Sequence, residues 1–286
     1  MTLLSSHQTD HAAAGGFDAF LGAGRDRFLG DGHRRVGLAL LDLIAVGDTA
    51  SASTARVTYP DDWSLKAGGS REAHLSTVDA IRVAEEVRSA LASGPMPWLK
   101  AFGHERSLTV RAGAEPFTAL EAVPVQTSVA RPDVHTVRLL HRVGSLKVES
   151  EWVRSEAQTP SGSGWRAGRV TQIALAANSN VSCFYEREAS TLTPMSFLEI
   201  LLLTAQMSQV ALYEGDPGRR DQSGNMWMRR AQFLRTRSSD DRVQQISTRL
   251  ENRRVLSVSG RQFTTVDVRA DDIFGVQVTA SLASGS

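Results

Sequence analysis

The chain has 286 residues, enough for two ordinary domains or one large one, with 41% hydrophobic and 22% charged residues. That balance suits a globular protein with a sizeable core, and a net charge of +1 argues against nucleic acid or an anionic membrane as the main partner. The single cysteine, Cys183, excludes an internal disulfide and a cysteine-based metal cluster, so a reducing cytoplasm is the expected location.

Residues 1–16 are rich in Ser, His, Ala and Gly without a periodic apolar face, and are expected to be disordered. His7 and His11 fall there without a Cys partner, so no metal site is expected. No apolar run follows a basic start, so no targeting segment is expected. A short helical piece is expected over Phe17 to Leu29, followed by the basic turn Gly30-Asp31-Gly32-His33-Arg34-Arg35. Val36 to Val46 is nearly continuous apolar, and Ala55, Val57 and Tyr59 then alternate with polar neighbours, as in a half-buried strand. The clearest helix of the first half opens at Ser76 or Thr77 and carries Val78, Ile81, Ala84, Val87 and Leu91 on one stripe until Gly94-Pro95 stops it. Extended stretches are expected at Trp98 to Phe102, Ser107 to Ala112 and Phe117 to Val129.

Arg131-Pro132-Asp133 is the best candidate boundary, dividing a domain over 17–131 from a second over 132–286. Leu146 to Val153, Trp165 to Ala176 and Asn180 to Arg187 read as strands. A second helix, capped at Thr193-Pro194, runs from about Met195 to Tyr213 and is apolar nearly all round, which predicts burial on most sides. Its most apolar part, Phe197 to Leu203, is far short of the roughly 20 residues that span a bilayer. Strands resume at Met226 to Thr236, Arg254 to Ser259, Phe263 to Val268 and Val276 to Leu282. One long helix per group of strands leaves too few helices for parallel crossovers. The expected fold is therefore α+β: two related halves, each a curved antiparallel sheet wrapped around its helix, the arrangement called a double hot dog.

Three segments carry a resemblance: Arg27-Phe28-Leu29-Gly30-Asp31-Gly32-His33-Arg34-Arg35, Val57-Thr58-Tyr59-Pro60-Asp61-Asp62-Trp63-Ser64, and His74-Leu75-Ser76-Thr77-Val78-Asp79-Ala80. In them the chain resembles the avirulence protein D family of plant-associated bacteria and its actinobacterial relatives, and the likeness extends from about Phe17 to Leu282. It implies an enzyme of specialised metabolism that joins a β-ketoacyl thioester to a small sugar or hydroxyketone, giving syringolide-like products. A more distant likeness to the A-factor synthase family, also double hot dogs, implies butyrolactone-like products. The implied co-substrate is an acyl-CoA or acyl-carrier-protein thioester, with no tightly bound cofactor. A dehydratase or thioesterase, or a non-catalytic acyl-binding protein, would use the same apolar groove, and a homodimer stays open.

His74 and Asp79 flank the start of the first helix, where a helix N-terminus would polarise a thioester carbonyl. Asp79 equally suits a purely structural role as a first-turn carboxylate. Glu199, between Leu198 and Ile200, is expected to be buried with a raised pKa fit for acid–base work, or to lie on the one exposed edge of the helix, or to pair with a core Arg such as Arg229 or Arg230. Gln206 shares its helix face and is a candidate to hold a substrate carbonyl. Glu85 and Glu86 read as solvent-facing or bridged to Arg82. Arg34-Arg35 and Arg219-Arg220 are candidates for a carrier-arm or sugar phosphate, or are solvated loop charges. Matching Leu75 to Leu192 at the two helix openings sets Asp79 against Ser196 and Arg82 against Glu199.

Overall fold

The computed structural model describes residues 16–63, 72–155, 168–176, 179–188, 194–214, 218, 226–258 and 261–285. The stretch expected to be disordered at the N-terminus, apart from Gly16, lies outside them, as do His7, His11, Arg219 and Arg220.

The first half comprises a single-turn helix α1 (Asp18–Leu21), β1 (Gly37–Val46), β2 (Ala50–Thr58), the long helix α2 (Thr77–Ser93), β3 (His104–Arg111), β4 (Val123–Ala130), β5 (Thr136–Val143) and β6 (Leu146–Val153). The second repeats the order: β7 (Arg169–Leu175), β8 (Asn180–Glu186), α3 (Phe197–Leu212), β9 (Met226–Arg235), β10 (Val243–Val258), β11 (Arg261–Ile273) and β12 (Val276–Gly285). Pairing is antiparallel throughout, and the strands run β1-β2-β4-β5-β6-β3-β9-β12-β11-β10-β8-β7. Read from either end, that order is the same if β1 to β6 are exchanged for β7 to β12. The fold is a double hot dog whose two sheets meet edge to edge at β3 and β9, making one sheet of 12 strands among the described residues.

Period-two patterning explains the sheet. Along β4, Val123, Val125, Thr127 and Val129 point inward and are buried, while Pro124, Gln126, Ser128 and Ala130 face out. α2 packs on β1, β2, β5 and β6, and α3 on β8, β10 and β11. Every residue of α3 from Phe197 to Ser208 is buried, as its all-round apolar sequence predicts.

Several expectations shift. Arg131-Pro132-Asp133 is the loop of the β4–β5 hairpin, not a boundary, because β5 and β6 complete the first six strands. The change from one half to the other falls between Val153 and Arg169. Trp98 to Phe102 is not extended: Pro97–Ala101 form a 3-10 turn, in which Pro97 supplies the fixed φ of a helix start. The expected helix over Phe17 to Leu29 ends at Leu21, since Gly22 takes a positive φ, and a 3-10 turn over Gly24–Asp26 follows.

Candidate functional site

Both long helices begin with the same device. Ser76 caps α2: its Oγ accepts from Asp79 N at 3.1 Å, and the Asp79 carboxylate accepts from Ser76 N at 3.2 Å. Ser196 caps α3 in the same way, with Glu199 accepting from Ser196 N at 2.8 Å. These are capping boxes, with Asp and Glu at the third helical position. Ser196 is therefore the cap of α3, while Leu192 and Thr193 lie outside the described residues, and the correspondence is corrected: Asp79 answers to Glu199, and Ser76 to Ser196.

Asp79 is fully buried. Its Oδ2 also receives the Ser76 hydroxyl at 2.5 Å and the Tyr59 hydroxyl, and the Tyr59 oxygen lies 3.0 Å from the His74 carbonyl. Oδ1 has no hydrogen bond, and Arg82 stands 3.8 Å away. Burial raises the Asp79 pKa, while the bonds from Ser76 and Tyr59 and the charge of Arg82 pull it back. Burial and the adjacent Asp79 raise Tyr59 as well. Arg82 in turn donates to the His33 and Val36 carbonyls at 3.2 Å, locking the Gly32–Arg35 turn onto α2.

In front of this helix start lies a cavity of about 690 Å³. It is lined by the first turn of α2, from Ser76 to Val78, where the Thr77 and Val78 amides are among those a helix leaves without intrahelical partners. Its walls are mainly apolar: Phe28 and Leu29, Phe117 and Leu146 from the first half, Leu201 and Ala205 from α3, Met226 and Met228 from β9. His74 stands in the wall stacked on Trp227, ring centroids 5.0 Å apart, with Trp63 edge-on at 5.9 Å. Arg27 lines it too: its guanidinium, nearly inaccessible, donates to Gln206 at 2.9 Å and to Asp18 at 2.7 Å, tying the N-terminal segment to α3.

Of the residues singled out from sequence, His74 lines the cavity, and Asp79 supports it from behind without facing it. Glu199 is buried in its own capping box, where it accepts from Ser196 and not from the Arg229 or Arg230 named as candidates. Gln206 holds Arg27. Arg34 pairs with Asp31 at 3.5 Å and Arg35 with Asp62 at 2.8 Å on the surface, away from the cavity. Glu85 departs from its expected exposed or bridged role: Oε2 is buried without a partner, and burial pushes its carboxyl up to about 7. Glu105, not singled out, is pushed up to about 8 by burial and by Glu85. The cavity residues Arg27, Trp63 and Trp227 were also missed as site residues, although Arg27 and Trp63 stand in the segments that carry the family resemblance. Among the described residues no three His, Cys, Asp or Glu side chains gather as metal ligands, and no helix is long and apolar enough to cross a membrane.

Fold and site together define a double hot-dog protein with an apolar cavity ending on a helix N-terminus. The chain belongs to the AvrD family, described as Pseudomonas avirulence D protein, whose profile matches residues 13–172 and 163–285. A search of curated proteins gives no match. Among solved structures, a Lactobacillus plantarum protein described provisionally as an oleoyl thioesterase is 11% identical, with 83% of this chain and 97% of that one covered and a TM-score of 0.51. The tesB protein of Mycobacterium avium subspecies paratuberculosis is 14% identical over 90% of this chain and 99% of its own, with a TM-score of 0.44. A dehydratase domain from Pseudomonas fluorescens is 11% identical over 86% and 98%, with a TM-score of 0.38. At 11% identity the likeness to the Lactobacillus plantarum protein is one of fold.

Proposed function

We propose that this protein is an enzyme acting on an acyl thioester, with the acyl chain in the apolar cavity and the thioester carbonyl against the first turn of α2. The observation that carries this reading is the cavity itself: about 690 Å³, largely apolar, and lined by the Ser76–Val78 turn. The Thr77 and Val78 amides and the helix dipole would stabilise the oxyanion formed when the carbonyl is attacked. The attacking group is the hydroxyl of a small sugar or hydroxyketone. Its oxygen bonds to the carbonyl carbon, the carbon–sulfur bond breaks, and the hydroxyl proton passes by way of His74 to the departing thiolate. Asp79 and Tyr59 act as positioning residues, since they fix the helix start and the His74 backbone. The choice of a sugar or hydroxyketone as acceptor rests on the family's syringolide-type chemistry, and the donor is a coenzyme A or carrier-protein thioester.

The second reading is hydrolysis or dehydration of an acyl thioester in the same cavity, favoured by the thioesterase description of the Lactobacillus plantarum protein that shares the fold. Incubating the protein with a β-ketoacyl thioester, with and without D-xylulose or dihydroxyacetone phosphate, and separating products by mass-detected chromatography distinguishes them. A condensed ester that needs both substrates, and is lost in His74→Ala, is the expected result. Free acid regardless of acceptor, or an enoyl product with loss of water from a β-hydroxyacyl thioester incubated in parallel, would establish the second reading, and both thioesters left untouched would refute both.

A further inference from the structure

Across the seam that joins the two halves, the outward face of the sheet carries an unbroken row of cations. Arg142 on β5 stands opposite Lys147 on β6, Lys147 opposite Arg111 on β3, and Arg111 opposite Arg230 on β9. Residues directly opposite in neighbouring strands share a face, so the four side chains stand side by side, and each is exposed. At about 4.8 Å per strand the row is about 14 Å long. Like charges set directly opposite one another destabilise a sheet, so the row is kept against the interest of the sheet itself.

Elsewhere on the sheet, arginines are neutralised: Arg106 and Arg138 both pair with Glu151, and Arg249 and Arg269 with Asp271. The cations of the row have no ion pair or hydrogen bond among the described residues. Glu149, two residues beyond Lys147 on the same face, lies opposite Thr109 and Leu140 and pairs with none of them. The row is not repeated at the other end of the seam, where Ser107 faces Leu234 and Leu234 faces Gln277. It belongs to the end where the apolar cavity lies, since Ala112 and Gly113, which follow Arg111, and Leu146, which precedes Lys147, all line that cavity. A β-bulge in β9 between Met228 and Arg230 leaves both Arg229 and Arg230 exposed. Arg229 donates to the Gly113 carbonyl at 3.1 Å and lines the cavity, so positive charge continues from the row to the cavity wall.

We propose that this row is the docking surface for an acidic helix of an acyl carrier protein, which brings the thioester to the cavity. The inference rests on the acyl-thioester reading above and narrows its donor from two kinds to one. Unpaired cations in a line call for anions in a line. A helix with acids at i, i+3, i+7 and i+10 holds them on one face over about 15 Å, which matches the row. The phosphates of coenzyme A cluster around one nucleotide and leave part of such a row unanswered. A net charge of +1 supplies no wider positive field of the kind that nucleic acid needs.

Binding tests this without turnover, so its failure is separate from that of the acyl-transfer reading. The full chain is titrated calorimetrically with an acidic fatty-acid acyl carrier protein, its β-ketoacyl group attached through an amide in place of the thioester. Saturable binding that weakens as salt rises is expected. The charge-reversed double variant Arg111→Glu with Lys147→Glu should weaken it by at least about tenfold. The single variant Lys147→Gln guards against misfolding, and should weaken binding in the same direction without lowering the urea midpoint. A protein that turns over coenzyme A thioesters yet does not bind the carrier keeps the acyl reading and loses this one. No saturable binding, or binding that neither variant changes, overturns the proposal. So does coenzyme A or a single-stranded oligonucleotide that binds with the same dependence on the double variant.

Discussion

The carboxylates of Glu85 and Glu105 make the folded state lose stability as pH rises. Burial is the main cause in both: Glu85 is pushed up to about 7 and Glu105 up to about 8. Glu86 on its own helix and Glu199 on α3 push Glu85 further, while Arg82 and Arg88 pull it back. For Glu105 the added push comes from Glu85, and Arg235 and Arg88 oppose it. An unfolded Glu titrates near 4.3. The folded chain therefore keeps a proton that the unfolded chain releases. The stabilising contribution is complete below about pH 4.3 and is lost as pH climbs through about 7 to 8. The two groups are coupled, so one retained proton is the sound unit; at about 1.4 kcal/mol per pH unit it amounts to roughly 4–5 kcal/mol across that window. Glu85→Gln keeps the shape and removes that ionisation. Urea denaturation should find it equal to the parent near pH 4.5 and more stable by roughly 4 kcal/mol at pH 9, or about 7 °C in Tm for a chain of this size. Parallel stability–pH curves for the two proteins would refute the reasoning.

Three further outcomes can be checked separately. Ser196→Ala removes the hydroxyl that caps α3 and should cost about 1 kcal/mol in urea denaturation; an unchanged midpoint would mean the box contributes nothing. Gly30→Ala places a methyl group onto the Gly24 carbonyl, which already accepts from Asp31 N at 2.9 Å, so the loop around Arg27 must open. A loss of about 1–3 kcal/mol is expected, and wild-type stability would show that the loop yields freely. Cys183, buried with its thiol pushed up to about 12, should react with an aromatic disulfide reagent at pH 8 only as fast as the protein unfolds. Prompt labelling of native protein would contradict that burial.

Patterning made the elements legible, because alternation along β4 and the stripe of α2 are direct consequences of burying one face. Partnership was harder to read. Arg131-Pro132-Asp133 has the chemistry of a break, yet a hairpin turn and a domain boundary use the same residues, and only the pairing of β5 with β4 and β6 decides between them. Thr193-Pro194 hid the true cap at Ser196, although Ser196 and Glu199 have the spacing of a capping box. The cavity was the least legible part. Phe28, His74, Ala205 and Trp227 come from four distant segments, and no local rule brings them together. Glu85 was misjudged because helical spacing to Arg82 suggested a surface bridge; its actual surroundings include Glu105 from β3 and Glu199 from α3.

The join between β3 and β9 lies within one polypeptide, and this frees the two halves from a constraint that binds identical subunits. In a symmetric pair of separate chains, every substitution appears twice, so an acid introduced into one pocket also enters the other. Here Glu85 and Ala205 are encoded by different codons at equivalent places. One half can carry an acid where the other stays apolar, and neither change has to be tolerated by both. The tandem gene is thus what permits a division of labour between the two halves of a single continuous sheet.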